Sequence, residues 1–239
     1  MTVADAVLVL WDIDRTLLYV GDTDRQVYRE TFHQVIGHSP EKLPQRGTGV
    51  TMPLAIRTLL LDNGVHERDI PQLLPRMVEL LPERLATHVE EMKRSGRLLP
   101  GAVEALHAVH EAPTLIPTVV TGNLKPNAEI KLRTFHLAPY LDLDIGGFAS
   151  DDQHRPALVG VAQKRAQEKH GLTFTQSNTV IVGDSLEDVR TGLEGGALVI
   201  GVASGTTSGP ELRHAGANLI LPDLRNPEVL LAAIATLAQ

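Results

Sequence analysis

Residues 8–18 read LVLWDIDRTLL. The run from Leu8 to Trp11 is apolar enough for a buried strand, and two carboxylates, Asp12 and Asp14, stand where it stops. Side chains alternate along a strand, so the two aspartates are expected on one face, with Asp14 on the turn that ends it. Anions a few Å apart repel and resist ionising together. The arrangement makes physical sense if a cation sits between them or if one of them stays protonated.

The chain as a whole sets bounds on that chemistry. Its 239 residues, 43% of them hydrophobic, suffice for one large domain or for a full domain plus a smaller one. A net charge of −7 argues against a nucleic-acid groove or an anionic membrane as partner. There is no cysteine, which excludes disulfides and thiolate metal sites. The N-terminal MTVADAVLVLW has an acidic residue where a secretion signal would carry positive charge, and no apolar run is long enough for a membrane span. A cytoplasmic location is the resulting expectation.

Short branched runs alternate with longer segments at helical spacing, the pattern of an α/β fold with a doubly wound parallel sheet. Strands are expected at Val7 to Trp11, Leu115 to Val120, Leu143 to Gly147, Thr179 to Val182, Leu198 to Val202 and, weakly, Leu219 to Leu221. PGAVEALHAVHE, PNAEIKLRTFHL, PALVGVAQKRAQEKHG and SLEDVRTGLEGG read as the helices between them. One interval breaks the alternation. From Gly21 to Arg97 there are only amphipathic stretches, which predicts a helical insertion, with Pro75 and Pro82 predicting kinks or short helices rather than one rod.

Two further stretches repeat the layout of the first. TVIVGDSLEDVRTGL, residues 179–193, is a strand that ends at Asp184, with Asp188 four residues later in a starting helix. Ligands of open α/β sheets bind beyond the carboxyl ends of the strands, so four carboxylates are expected to converge there. Oxygen donors without His or Cys suit Mg²⁺, which keeps some waters and leaves room for phosphate. TVVTGNLKPNAEIK, residues 118–131, places Thr121, Gly122 and Asn123 on a strand-to-helix turn that can cradle an anion, and Lys131 could point back toward it.

DIDRTL, VVTGN and VGDSLEDV together resemble the first, second and fourth motifs of the haloacid dehalogenase superfamily, with Asp12, Asp14 and Thr16 in register. The resemblance covers most of the chain and implies a Rossmann-like catalytic core, residues 1–20 and 98–239, with a helical type-one cap at 21–97. It implies that Asp12 is a nucleophile that attacks phosphorus and that Asp14 is a general acid and base. Asp12, the backbone carbonyl of Asp14, Asp184 and Asp188 would hold Mg²⁺. Thr16, Thr121, Gly122 and Asn123, including the Asn123 backbone N–H, would meet the phosphoryl group. Members of the superfamily that dehalogenate generally lack the second aspartate, so Asp14 favours phosphoryl transfer.

Two positions depart from the family pattern. Arg15 stands where glycine is usual, and HRPALV puts Arg155 where a lysine is usual. Lys131 is taken first as the cation that neutralises nucleophile and phosphate, Arg155 second and Lys125 third. Arg46 and Thr48 are cap candidates for reading the leaving group, and Arg57 is more simply a surface residue. GVASGTTSG, residues 201–209, reads as a loop. The expectation is a Mg²⁺-dependent phosphatase of a small phosphorylated metabolite, similar to phosphoglycolate phosphatase. A sugar phosphomutase or a phosphoryl-receiver module are the alternatives.

Overall fold

The computed structural model describes residues 6–45, 47 and 49–238, so Arg46 and Thr48 lie outside the described residues. In chain order the elements begin with β1 (Val7–Trp11), β2 (Leu18–Tyr19), α1 (Thr23–Ile36), α2 (Met52–Asp62), α3 (Ile70–Thr87), α4 (Val89–Ser95) and β3 (Arg97–Leu98). There follow α5 (Ala102–Glu111), β4 (Leu115–Thr121), α6 (Lys125–Thr134), β5 (Gly147–Phe148), α7 (Ala157–His170) and β6 (Thr179–Gly183). The chain closes with α8 (Leu186–Gly195), β7 (Leu198–Val202), α9 (Gly209–Ala215), β8 (Leu219–Leu221) and α10 (Pro227–Leu237).

Six strands form one sheet in the order β5-β4-β1-β6-β7-β8, and every pairing in it is parallel. Alternation along β1 explains the two layers of helices. Val7, Val9 and Trp11 join a core that includes Val109 of α5 and Leu230 of α10, whereas Leu8 and Leu10 join one that includes Leu158 of α7 and Val189 of α8. All five β1 residues are buried. Each such side chain contributes about 1.5–3 kcal/mol relative to exposure, enough for burial on both faces to place β1 at the sheet's centre. The doubly wound α/β expectation is confirmed.

Because β4 and β6 flank β1 in parallel, all three strand ends open on one edge. The chain leaves β1 toward β4 and β5, then returns to β6 on the other side, which makes this edge the topological switch point.

Helices α1 to α4 lie between β2 and β3, which pair antiparallel, Leu18 with Leu98 and Tyr19 with Arg97. Entry to and exit from the helical segment are thereby held side by side. Helix α3 corrects the proline expectation, for its 18 residues run through both Pro75 and Pro82. An interior proline costs about 3 kcal/mol. The buried stripe Ile70, Met77, Leu81 and Leu85, packed with α1, outweighs it.

The third strand is also corrected. Leu143 to Ile145 are turn, and the strand is only Gly147–Phe148, paired with Val120 and Thr121. Backbone anchors displace it: Asp142 N–H donates to the Pro117 carbonyl, and the Phe148 N–H donates to Asp151. No helix of the described residues is long and apolar enough to cross a membrane.

Candidate active site

At the end of β1 the Asp12 N–H still donates to the Val182 carbonyl of β6, so the carboxylate begins where the ladder ends. The chain then turns sharply. Arg15 has φ 68° and its N–H donates to the Leu18 carbonyl at 2.6 Å. A left-handed non-glycine residue costs about 1–2 kcal/mol. The turn brings the buried Thr16 hydroxyl back to Asp12 Oδ2 at 3.1 Å and to Asp184 Oδ1 at 3.2 Å. One hydroxyl proton serves one acceptor at a time, so Thr16 links the two carboxylates as alternatives.

Carboxylate oxygens of Asp12, Asp184 and Asp188 all lie within 4.8 Å of one another, and all three residues are buried. Each is fixed by its own neighbours. Asp188 sits in a capping box on α8, where Ser185 N–H and Oγ both donate to Asp188 Oδ2 and the Asp188 N–H donates to Ser185 Oγ. Asp184 Oδ2 accepts from the Thr206 N–H at 2.7 Å and from its hydroxyl at 2.8 Å. A Cβ on Gly205 would fall 2.0 Å from Asp184 Oδ2, so that loop can lie here only as glycine.

The electrostatics call for positive charge. Burial, then the Asp188 charge, hold Asp12 well above the usual carboxylate range, and Arg155 only partly offsets them. Burial and Asp188 push Asp184 up to about 6. Three hard oxygen donors, close together and lacking their full complement of counter-charge, fit a divalent cation such as Mg²⁺. Among the described residues no other group of His or acidic side chains has this geometry.

Arg155 is the cation that touches Asp12. It is fully buried, and its Nη2 donates to Asp12 Oδ1 at 2.7 Å and to Asp188 Oδ1, while Nη1 donates to the Gly49 carbonyl. Burial opposes its charge, yet Asp188 and Asp12 outweigh burial and raise its pKa.

Lys131, ranked first as the neutralising cation, is elsewhere, which corrects its placement. It is the seventh residue of α6, beyond the first turns, and its fully buried Nζ donates to both Asp14 oxygens at 2.9 Å, to Asp24 Oδ2 at 2.8 Å and to Asn123 Oδ1 at 2.9 Å. Burial opposes this charge too, but Asp14 and Asp24 prevail and raise its pKa. Asp14 thus stands apart from the three clustered acids, held by Lys131 and by Asn123 Nδ2 at 2.7 Å, which corrects the expected convergence of four carboxylates. Two residues along the chain suffice to give the two aspartates different cations.

Asn123 and Thr121 close the remaining side. Asn123 Nδ2 donates to Thr121 Oγ1 at 2.8 Å, and the Asn123 backbone N–H, expected to face a phosphoryl group, donates to the same hydroxyl at 3.2 Å. Gly122 lets the chain before α2 pass over the site. A Cβ there would lie 2.5 Å from the Val50 carbonyl oxygen, and its own carbonyl accepts from the Met52 N–H. Lys125 lies over the Phe148 ring at 5.5 Å, and exposed Arg57 pairs with Glu67. Arg15 lines the cleft together with Asp12, Asp14, Thr121 and Arg155. Arg46 cannot be placed, since it lies outside the described residues.

Asp24, Ser185 and Thr206 were not found by sequence reasoning. For Ser185 a signal existed, because Ser-x-x-Asp before a helix is a capping pattern. Thr206 sat unmarked in GVASGTTSG, and nothing local distinguishes Asp24.

Residues 9–192 match the family of haloacid dehalogenase-like hydrolases, and the chain belongs to that family. A search of curated proteins found no match. Among solved structures, a predicted phosphatase from Clostridium acetobutylicum superposes with TM-score 0.68 at 19% identity, covering 97% of this chain and 99% of its own. A hydrolase from Pseudomonas syringae gives 0.66 at 21%, over 96% and 99%. CbbY from Rhodobacter sphaeroides, a variant in complex with xylulose 1,5-bisphosphate, gives 0.66 at 18%, over 92% and 96%. At such identities the likeness establishes the fold alone.

Proposed function

We propose that this hydrolase is a Mg²⁺-dependent phosphatase of small phosphomonoesters that works through an aspartyl-phosphate on Asp12. The observation that carries the reading is the separation of the two aspartates: Asp12 lies with Asp184, Asp188 and Arg155, while Asp14 is held by Lys131 and Asn123. With the cluster's charge neutralised by a bound cation, Asp12 would stay ionised to attack, while Asp14, outside the cluster, handles protons.

In the first step an Asp12 carboxylate oxygen bonds to phosphorus and the bond to the ester oxygen breaks, Asp14 giving its proton to the departing alkoxide. In the second, Asp14 takes a proton from water, whose oxygen attacks phosphorus and frees Asp12 and inorganic phosphate. Arg155 and the Thr121 hydroxyl are the ligands for the phosphoryl oxygens. Lys131 orients Asp14. Asp12, Asp184, Asp188 and the Asp14 backbone carbonyl would hold Mg²⁺, which when bound supplies charge neutralisation for the acids and the phosphoryl group.

Residues 21–97 act as the cap over a core of 1–20 and 98–239. The support is the β2–β3 stem and the strap before α2, whose Gly49 carbonyl accepts from Arg155 and whose Val50 lies over Gly122. A cap so placed excludes water during the first step. A small phosphorylated metabolite fits the cleft's position at the strand ends.

The test is release of phosphate from an aryl phosphate with and without Mg²⁺. Asp12→Asn is expected to lower kcat by at least about a thousandfold, in line with the loss of a covalent nucleophile. Retained metal-dependent turnover in that variant would end the reading. Isomerisation of a sugar phosphate without net phosphate release would replace it by phosphomutase chemistry.

A further inference from the structure

The cleft holds more positive charge than the proposed phosphoryl chemistry uses. Besides Arg155, Arg15 and Arg25 line it. Arg15 is half-buried, at a backbone angle that side chains rarely adopt, and its guanidinium rests on the Tyr19 ring, 4.9 Å from the centroid. Among the described residues it donates to no carboxylate or carbonyl through its side chain. Arg25 gives one Nη1 proton to the Pro44 carbonyl at 2.9 Å and likewise has no carboxylate partner among them.

The contrast lies within the same cleft. Lys131 and Arg155 are matched to Asp14, Asp24, Asp12 and Asp188, whereas Arg15 and Arg25, with no carboxylate partner among the described residues, line a cleft whose wall carries Val20, Tyr28, Val50 and Met52 beside the acids. Apolar walls strengthen a charge interaction, because little competing water is left. Strain kept at Arg15 points to a use for its side chain, since glycine would satisfy the turn without it.

We propose that Arg15 and Arg25 form a second anion subsite, so that the ester hydrolysed here carries a carboxylate or a second phosphate on its alcohol portion. This rests on the phosphatase reading and adds a substrate class to it. Arg15 presents a planar fork suited to either anion, fixed by stacking on Tyr19, and Arg25 supplies a further donor from α1.

The experiment compares kcat/KM for three esters: 2-phosphoglycolate, ethylene glycol bisphosphate and neutral-ended 2-hydroxyethyl phosphate. Wild type is expected to favour one or both charged esters over the neutral one by about ten- to a hundredfold, the scale of hydrogen bonds to a charged group. Which charged ester leads separates carboxylate from phosphate. Arg15→Gly, which suits the left-handed backbone, should shrink that ratio to within about threefold, and Arg25→Gln should reduce it in part. Thermal melting checks that both variants fold. Equal efficiencies in wild type, or a preference that both variants leave intact, would overturn the subsite and leave the phosphatase reading standing. Turnover of an aryl phosphate but of none of the three would overturn the subsite alone, and turnover of none of the four would overturn both.

Discussion

One nitrogen of Arg155 spans two carboxylates, donating to Asp12 Oδ1 at 2.7 Å and to Asp188 Oδ1, the first at the end of β1 and the second on α8. All three groups are buried, so none can turn to solvent if its partner is lost.

Arg155→Ala should therefore destabilise the metal-free protein by about 3–5 kcal/mol at pH 7.5, the cost of leaving buried charge uncompensated. Urea unfolding measures it. Arg155→Lys keeps the charge but not the fork that also reaches Gly49, and should fall between the two. A stability equal to wild type in the alanine variant would contradict the pairing.

Lys131 holds both Asp14 and Asp24, the latter 107 positions away in sequence on the first helix of the inserted segment. Lys131→Met should cost about 3 kcal/mol and lower phosphatase turnover, because Asp14 loses its orienting partner. Adding Asp24→Asn should not cost a further full increment. A double-mutant cycle is expected to show about 1–3 kcal/mol of coupling, and strict additivity would refute the contact.

The acidic cluster has a pH signature. Asp184 is raised to about 6 from 3.8, through burial and then Asp188, so between those values the folded state holds a proton that the unfolded chain has released. Stability present below pH 3.8 is lost as pH rises through 6, and Asp12, raised for the same reason, adds to the trend. Metal-free protein should gain stability from this cluster on going from pH 7.5 to 5.5. Mg²⁺ at about a hundred times its dissociation constant should raise Tm by roughly 5–10 °C at pH 7.5, and by clearly less at 5.5. Differential scanning calorimetry with and without chelator decides it.

The Asp151–Arg165 pair runs the other way. Asp151 accepts from Arg165 Nη1 and Nη2 at 2.8 and 2.7 Å and from the Phe148 N–H. Partial burial opposes the carboxylate, but these donors outweigh it and hold its pKa below the usual value. The stabilisation is present above the unfolded value of 3.8 and lost as pH falls through the lower folded one. Asp151→Asn should cost about 1 kcal/mol at pH 7, discounted because the pair is partly exposed, and the difference should shrink from about pH 5 to pH 3. Guanidinium titrations across that range measure it.

Much of this was legible in one dimension. The apolar runs at Val7–Trp11 and Thr179–Gly183 are strands, Asp12 and Asp184 stand at their ends, and Gly171 stops α7, because burial on two faces and helix capping are decided by neighbours in the chain. The edge strand at Gly147–Phe148 and the unbroken α3 were misread for the complementary reason. Hydrogen bonds to Pro117 and Asp151, and packing on α1, outweighed local propensity there.

Residue types and their places at strand ends came from the sequence by itself, and with them the α/β fold and the convergence of acids, which the sequence put at four and the structure at three, Asp12, Asp184 and Asp188. Which cation serves which acid was decided only in three dimensions. Arg155 and Lys131 both reach the strand ends on long flexible stems, and the packing of the inserted helices and of the strap at Gly49 selects between them. Chain spacing carries no record of that choice, because ionic partners are fixed by distance through space and by the water that burial removes.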